Sequence, residues 1–182
     1  MSDRVSSPSS WTAYARRVIE LALRQGDVEG VLPPSEVDQE HGGVFVTLKK
    51  FGRLRGCMGL LDSAEPLPAS IRHAAVTAAL HDPRFPPVGP GELSDLKIDV
   101  SILSAPWPMQ SIDELQLGVH GVIVRSGMQR GLFLPQVATE HRLSKEEFLS
   151  RCCAEKAGLA PDAWKNAAET EVMLFTAEVY KE

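Results

Sequence analysis

The sequence predicts an α+β fold of antiparallel sheets with packed helices. Three observations carry that prediction. "GGVFVTLKK" and "RLRGCMGLL" are rich in β-formers and flank a short turn at Phe51–Gly52. "GVHGVIVRSGMQRGLFLP" repeats the pattern around Gly127. The helical stretches fall between these hairpins without the regular alternation that a parallel sheet requires.

The elements follow in order. Residues 1–9 are rich in Ser and Pro and read as a mobile tail, which leaves 10–182 as a single domain. Trp11, Tyr14, Ala15, Val18, Leu21 and Ala22 recur at helical spacing, with Ser10 placed to cap the start and Gly26 to stop the helix. "VLPPSEV" is extended, because each Pro restricts the residue before it. After the first hairpin, Leu67, Ile71, Ala74, Ala75 and Ala78 form a second apolar stripe. Its small alanines suit close packing on a sheet. "HDPRFPPVGPG" then forces a turn, with Phe85 expected to anchor it in the core. "LKIDVSILS" alternates Ile98, Val100 and Ile102 against Asp99, Ser101 and Leu103, which suggests a strand. Past the second hairpin, Ser144 and Glu147 make a capping box for a helix carrying Phe148, Leu149, Cys152 and Cys153, closed by Gly158. Pro161 and Trp164 mark a short helical turn, and "EVMLFTAEVY" is a last strand. The two hairpin-plus-helix units leave a division into two lobes open.

Bulk properties narrow the function classes. The 182 residues carry a formal net charge of −5, which disfavours a protein that coats nucleic acid. "MSDRVSSPSS" has no apolar core and no cleavage site, so it does not read as a signal peptide, and no apolar run approaches the roughly 20 residues of a membrane span. The three cysteines form no set of even pairs, and reduced thiols in the cytoplasm are the simpler expectation.

Among reactive side chains Cys57 stands out. A thiolate is favoured by cationic neighbours. On a regular strand Arg53, Arg55 and Cys57 share a face. Gly56 and Gly59 leave room for a ligand or for another backbone. A nucleophilic Cys needs a base, and of the five histidines His120, among small neighbours in "GVHGVIV", is the first candidate. His73 is expected to face the sheet, and His81 sits at a helix end. Asp82 and Arg84 lie on a loop stiffened by Pro83, Pro86 and Pro87. That arrangement suits either an anionic ligand or a structural pair bracing the turn. Arg55, Gly56, Gly59, Asp82 and Arg84 are thus the candidate ligand-binding residues. The sequence has no C-x-x-C, no H-E-x-x-H and no pair of His at i, i+4, so no metal site is predicted and no cofactor is identified. Adjacent Cys152 and Cys153 point about 100° apart on a helix and read as core.

Eight motifs occur in order: "GVFVTL", "LRGCMG", "DPRFPPV", "VSILS", "GVHGVIV", "FLPQVA", "KEEFL" and "KAGL" followed by "PDAW". Together, from Trp11 to Tyr180, they resemble the AMMECR domain family, whose prokaryotic form is protein A of the AmmeMemoRadiSam system. Met58 stands where that family usually has Ile. The resemblance implies an α+β fold with a larger and a smaller lobe. It also implies association with Memo-type and radical-SAM proteins, and it marks the Cys57 segment as the family signature. Three functional readings follow. The first is an accessory or binding component acting with those partners. The second is an enzyme or enzyme component using Cys57 to modify a metabolite or macromolecule. The third is an RNA- or DNA-binding protein using the basic hairpin Lys49–Arg55, with Phe51 as a stacking residue. Uncovered strand edges leave a homodimer open.

Overall fold

The computed structural model describes residues 10–34 and 40–182, so the expected tail at 1–9 and part of the "VLPPSEV" linker lie outside the described residues. The chain forms two compact units, Met1–Ile102 with Glu178–Glu182, and Leu103–Ala177.

In the first unit, helix α1 (Trp11–Leu23) begins at Ser10, whose hydroxyl accepts the Ala13 N–H at 3.2 Å. It ends where Gly26 N–H donates to the Leu21 carbonyl. Trp11, Tyr14, Ala15, Val18 and Ile19 are buried on it, whereas Leu21 and Ala22 are only partly covered. Strands β1 (Gly43–Lys50) and β2 (Arg53–Leu61) pair antiparallel. Phe51 and Gly52 join them with φ of +51° and +77°, the left-handed pair that a two-residue hairpin of matching twist requires. Helix α2 (Leu67–Leu80) buries Leu67, Ile71, Ala74, Ala75 and Ala78 and ends at His81, ahead of Pro83. Its alanine stripe is functional in packing terms, because a side chain on Gly56 of β2 would lie 2.3 Å from the Ala78 carbonyl oxygen. Strand β3 (Leu96–Leu103) neighbours β1 on one side and β7 (Glu171–Lys181) on the other. The core joins Tyr14, Val18, Val44, Val46, Leu48, Ile71, Ile98 and Val100, so α1 and α2 cover one face of the sheet.

Strand β3 forms as expected, and both of its faces are covered, since Asp99, Ser101 and Leu103 are buried as well as Ile98, Val100 and Ile102. Asp99 tolerates burial because the Lys49 ammonium lies 2.7 Å away. Phe85 is half-buried, and the loop is anchored instead by Val88, 3% exposed, whose N–H donates to Ala79 of α2. His73 is exposed rather than turned to the sheet.

In the second unit, β4 (Trp107–Pro108) and β5 (His120–Ser126) both pair antiparallel with β7, and β5 pairs on its other side with β6 (Gln129–Phe133). A short helix α3 (Pro135–Glu140) starts on a proline, whose missing N–H costs nothing at that position. Helix α4 (Lys145–Arg151) carries the expected capping box, then widens into a π turn over Cys152–Ala157 and stops at Gly158 with φ +67°. Phe133, Phe148, Leu149, Cys152, Cys153 and Leu174 form the second core, with the Phe133 and Phe148 rings stacked at 5.5 Å.

Candidate functional site

Strand pairing decides what surrounds Cys57. Thr47 is its direct partner across the hairpin, and the Thr47 hydroxyl lies 3.3 Å from Sγ. Toward the tip the register slips: Leu48 faces Gly56, but Lys49 faces Leu54, so Arg55 is the extra residue of a bulge. Beyond a bulge the faces exchange. Arg53, opposite Lys50, therefore lies on the face away from Cys57, and the expected row of Arg53, Arg55 and Cys57 does not form. Single-strand periodicity could not show this, because the extra residue exists only relative to β1.

Arg55 is committed elsewhere. Its Nε and Nη2 both lie 3.1 Å from the carboxylate of Glu92, and Nη1 donates to the Pro86 carbonyl at 2.9 Å. Glu92 also meets Lys50 Nζ at 3.3 Å and accepts the Gly89 N–H at 3.3 Å. The Arg55 guanidinium is the main reason the Glu92 carboxyl is held down at about 2. Sequence reading passed over Glu92, although a lone acid in "PGELSD" facing a basic hairpin was a usable signal.

The nearest charged groups to Cys57 are Asp82 and Arg84, and they grip its backbone. Asp82 Oδ2 accepts the Cys57 N–H at 2.9 Å, while Arg84 Nη2 donates to the Cys57 carbonyl at 2.9 Å. The two close on each other through Nε–Oδ1 at 2.9 Å and Nη2–Oδ2 at 2.7 Å. Asp82 is 4% exposed, and its hydrogen bonds to Arg84 hold its carboxyl far below the usual carboxylate range and raise the Arg84 guanidinium. The carboxylate sits at a turn where its Oδ1 also takes the Arg84 N–H at 3.1 Å. The glycines are filled space as well. Gly56 accommodates Ala78, and at Gly59 an added Cβ would lie 2.4 Å from both the Phe45 ring and the Val44 carbonyl.

Cys57 is half-exposed, in contrast to Cys152 and Cys153, which are buried. Burial pushes the Cys152 thiol up to about 12 and raises that of Cys153, so both are inert core. His120 begins β5 in the second unit, whereas Cys57, Asp82 and Arg84 belong to the first. The His120 Nδ1 accepts the Gln116 N–H at 3.2 Å, and its ring meets Trp107 edge-on at 5.4 Å. The structure thus joins Cys57, Asp82 and Arg84 in one hydrogen-bonded set, with Arg55 in a neighbouring set around Glu92. Two concave pockets, of about 360 and 270 Å³, are lined by other residues. Among the described residues no cluster of His, Cys, Asp and Glu is arranged to hold a metal, and no helix is long and apolar enough to cross a membrane.

The hairpin charges are largely balanced. Lys49 pairs with Asp99, Lys50 with Glu92 and Asp95, and Arg55 with Glu92. The tip offers solvent two large apolar side chains, Phe51 at 79% and Leu54 at 45% exposure, with the exposed Arg53 between them.

A protein from Methanosarcina acetivorans is 44% identical over 92% of this chain and 87% of its own length. One from Methanothermobacter thermautotrophicus is 44% identical over 92% of this chain and 90% of its own. The crystal structure of an uncharacterised protein from Pyrococcus horikoshii superposes with a TM-score of 0.84 at 37% identity, covering 96% of this chain and 91% of that one. The sequence model of the AMMECR1 family matches residues 12–180, and by that match and these relatives the chain belongs to the AMMECR1 family.

Proposed function

We propose that this protein is a binding component that docks partner proteins through the tip of the β1–β2 hairpin. One observation carries the reading. Phe51 holds φ of +51°, a conformation that disfavours a bulky side chain, and yet it is 79% exposed. A strained residue with little packing in return is what a contact surface looks like when its partner is absent. Leu54 enlarges the apolar tip, and the paired state of Lys49, Lys50 and Arg55 favours a protein partner over nucleic acid. In this reading the Asp82–Arg84 clamp and the glycines around Cys57 keep the hairpin rigid against α2. The partners are of the Memo and radical-SAM types that the family resemblance implies, in the cytoplasm.

Purified Memo-type and radical-SAM proteins from the same genome, immobilised for interferometry, test this. At least one should bind the wild type, and Phe51→Ala should weaken it by about tenfold or more with unchanged thermal unfolding. The reading fails if neither binds, or if Phe51→Ala binds equally well.

A second reading rests on the half-exposure of Cys57: an enzyme component that uses this thiol on a small substrate. Its sulfur neighbours the Thr47 hydroxyl and the Arg84 guanidinium, neither of which is a general base at neutral pH. The alkylation rate of Cys57 against pH separates the readings. A thiol that ionises at or above about 8.5 leaves the binding reading standing alone.

A further inference from the structure

The larger pocket lies wholly in the second unit and is unrelated to the hairpin. Its walls include Met109, Ile112, Trp164, Lys165, Thr170 and Val172, and its volume is about 360 Å³. That is within the usual range for small-molecule sites. The walls are fixed by backbone structure. The Met109 N–H donates to the Val172 carbonyl of β7 at 2.9 Å, and the Trp164 Nε1–H donates to Ser150 Oγ at 3.0 Å, which pins the indole.

The chemistry of the lining is one-sided. Met109, Ile112, Val172 and the face of Trp164 are apolar. The Lys165 ammonium lies 5.2 Å from the Trp164 ring centroid. No Asp or Glu lines the pocket, and among the described residues no carboxylate pairs with Lys165. Thr170 is 5% exposed, and its hydroxyl makes no hydrogen bond among the described residues. Ser111 Oγ accepts the Asp113 N–H at 3.2 Å, which leaves its own proton free to donate. The site therefore offers one cation, two hydroxyl donors and an aromatic plate; the acids beside it, Asp113 and Glu114, are not among the lining residues, and Glu114 is engaged with the Gln110 N–H at 3.2 Å.

We propose that this pocket binds a small organic monocarboxylate with an apolar or aromatic body. The carboxylate meets Lys165, Ser111 and Thr170, and the body lies against Trp164, Met109 and Val172. One cation balances one negative charge, so a doubly charged phosphate would leave uncompensated charge against an apolar wall.

The probe is 4-phenylbutyrate, titrated into the full chain labelled with 15N. The three indole N–H peaks of Trp11, Trp107 and Trp164 are assigned by single Trp→Phe variants. The Trp164 peak should shift with saturation at or below the millimolar range, and Lys165→Gln should weaken binding by about fivefold or more. Lys165 is exposed, and the remaining spectrum reports that the variant is folded. The neutral analogue 4-phenylbutyramide should bind more weakly by a similar factor. The proposal is overturned if the Trp164 peak stays still up to about 10 mM acid. It is equally overturned if acid and amide bind alike, if Lys165→Gln changes nothing, or if inorganic phosphate displaces the probe.

Discussion

Replacing Asp82 with Ala removes the group that ties the Cys57 strand to the loop after α2. Four hydrogen bonds converge on its carboxylate, from Cys57 N, Arg84 N, Arg84 Nε and Arg84 Nη2. They do not count equally. The Cys57 N–H is left without its partner, which costs about 1–3 kcal/mol. The ion pair adds at most about 1 kcal/mol, because the Arg84 side chain is 54% exposed and keeps most of its hydration. The expected loss is about 2–4 kcal/mol at pH 7, read as a fall in the urea midpoint of about 1–2 M.

The pH dependence has a definite sign. The folded carboxyl titrates below its unfolded value, so its contribution is complete above about pH 4 and fades as pH falls toward the folded pKa. The gap between wild type and Asp82→Ala must narrow on acidification below pH 4. Arg84→Ala follows the same direction for a different reason: it strands a buried carboxylate that protonates more readily, so its deficit also shrinks as Asp82 becomes neutral. The double variant should therefore lose at least about 1 kcal/mol less than the sum of the singles. A loss below about 1 kcal/mol for Asp82→Ala, a gap constant down to pH 2, or strict additivity would refute the clamp.

Other outcomes follow from the same geometry. Gly56→Ala forces a Cβ to 2.3 Å from the Ala78 carbonyl and should cost about 2–3 kcal/mol, seen in thermal unfolding; a neutral substitution would mean that α2 can retreat from β2. Glu92→Gln should remove about 1–2 kcal/mol of stability at neutral pH, and the loss should vanish between about pH 4 and pH 2, where the wild-type carboxyl gains its proton. The side chain of Glu92 is 28% exposed, which keeps that figure well below the full value of its shift. Phe51→Asn suits the left-handed turn better and should raise stability by about 0.5–1 kcal/mol while reducing partner binding; a destabilised variant would show that the ring packs after all.

The fold was largely legible because its local signals agree with its packing. Ser10, the Phe51–Gly52 turn, the Ser144–Glu147 box and Gly158 each act where the sequence places them. What escaped was of two kinds. Helix α3 and the 3-10 turn Pro90–Asp95 are too short to show a period and begin on prolines, which read as breakers. The bulge at Arg55 is a relation between strands, and a one-residue slip moved Arg53 to the other face. That slip takes Arg53 away from Cys57, even though every residue of the expected row was correctly placed on β2, and the guanidinium beside the thiol is instead that of Arg84 from the loop after α2.

The same bulge connects the clamp with the tip. An extra residue at Arg55 increases local twist and lets its guanidinium reach sideways to Glu92 and Pro86, off the strand. The loop that carries Pro86 also carries Asp82 and Arg84, which hold Cys57 two residues further along β2. Arg55 and Cys57 are thus fastened to one proline-stiffened segment, and Gly56 between them is pressed on Ala78. Three consecutive residues of "LRGCMG" are immobilised by three different means: an ion pair, a steric contact and a backbone clamp. A nucleophile needs its side chain positioned, whereas here it is the backbone of Arg55–Cys57, next to Leu54 and the Phe51 tip on β2, that is held. Rigid presentation of an apolar tip lowers the entropy lost on association. If that is what the signature does, Asp82→Ala should weaken partner binding through Phe51 even though Asp82 never touches the partner, and restoring the clamp with Glu in place of Asp82 should not rescue it, because the longer arm misplaces the Cys57 N–H.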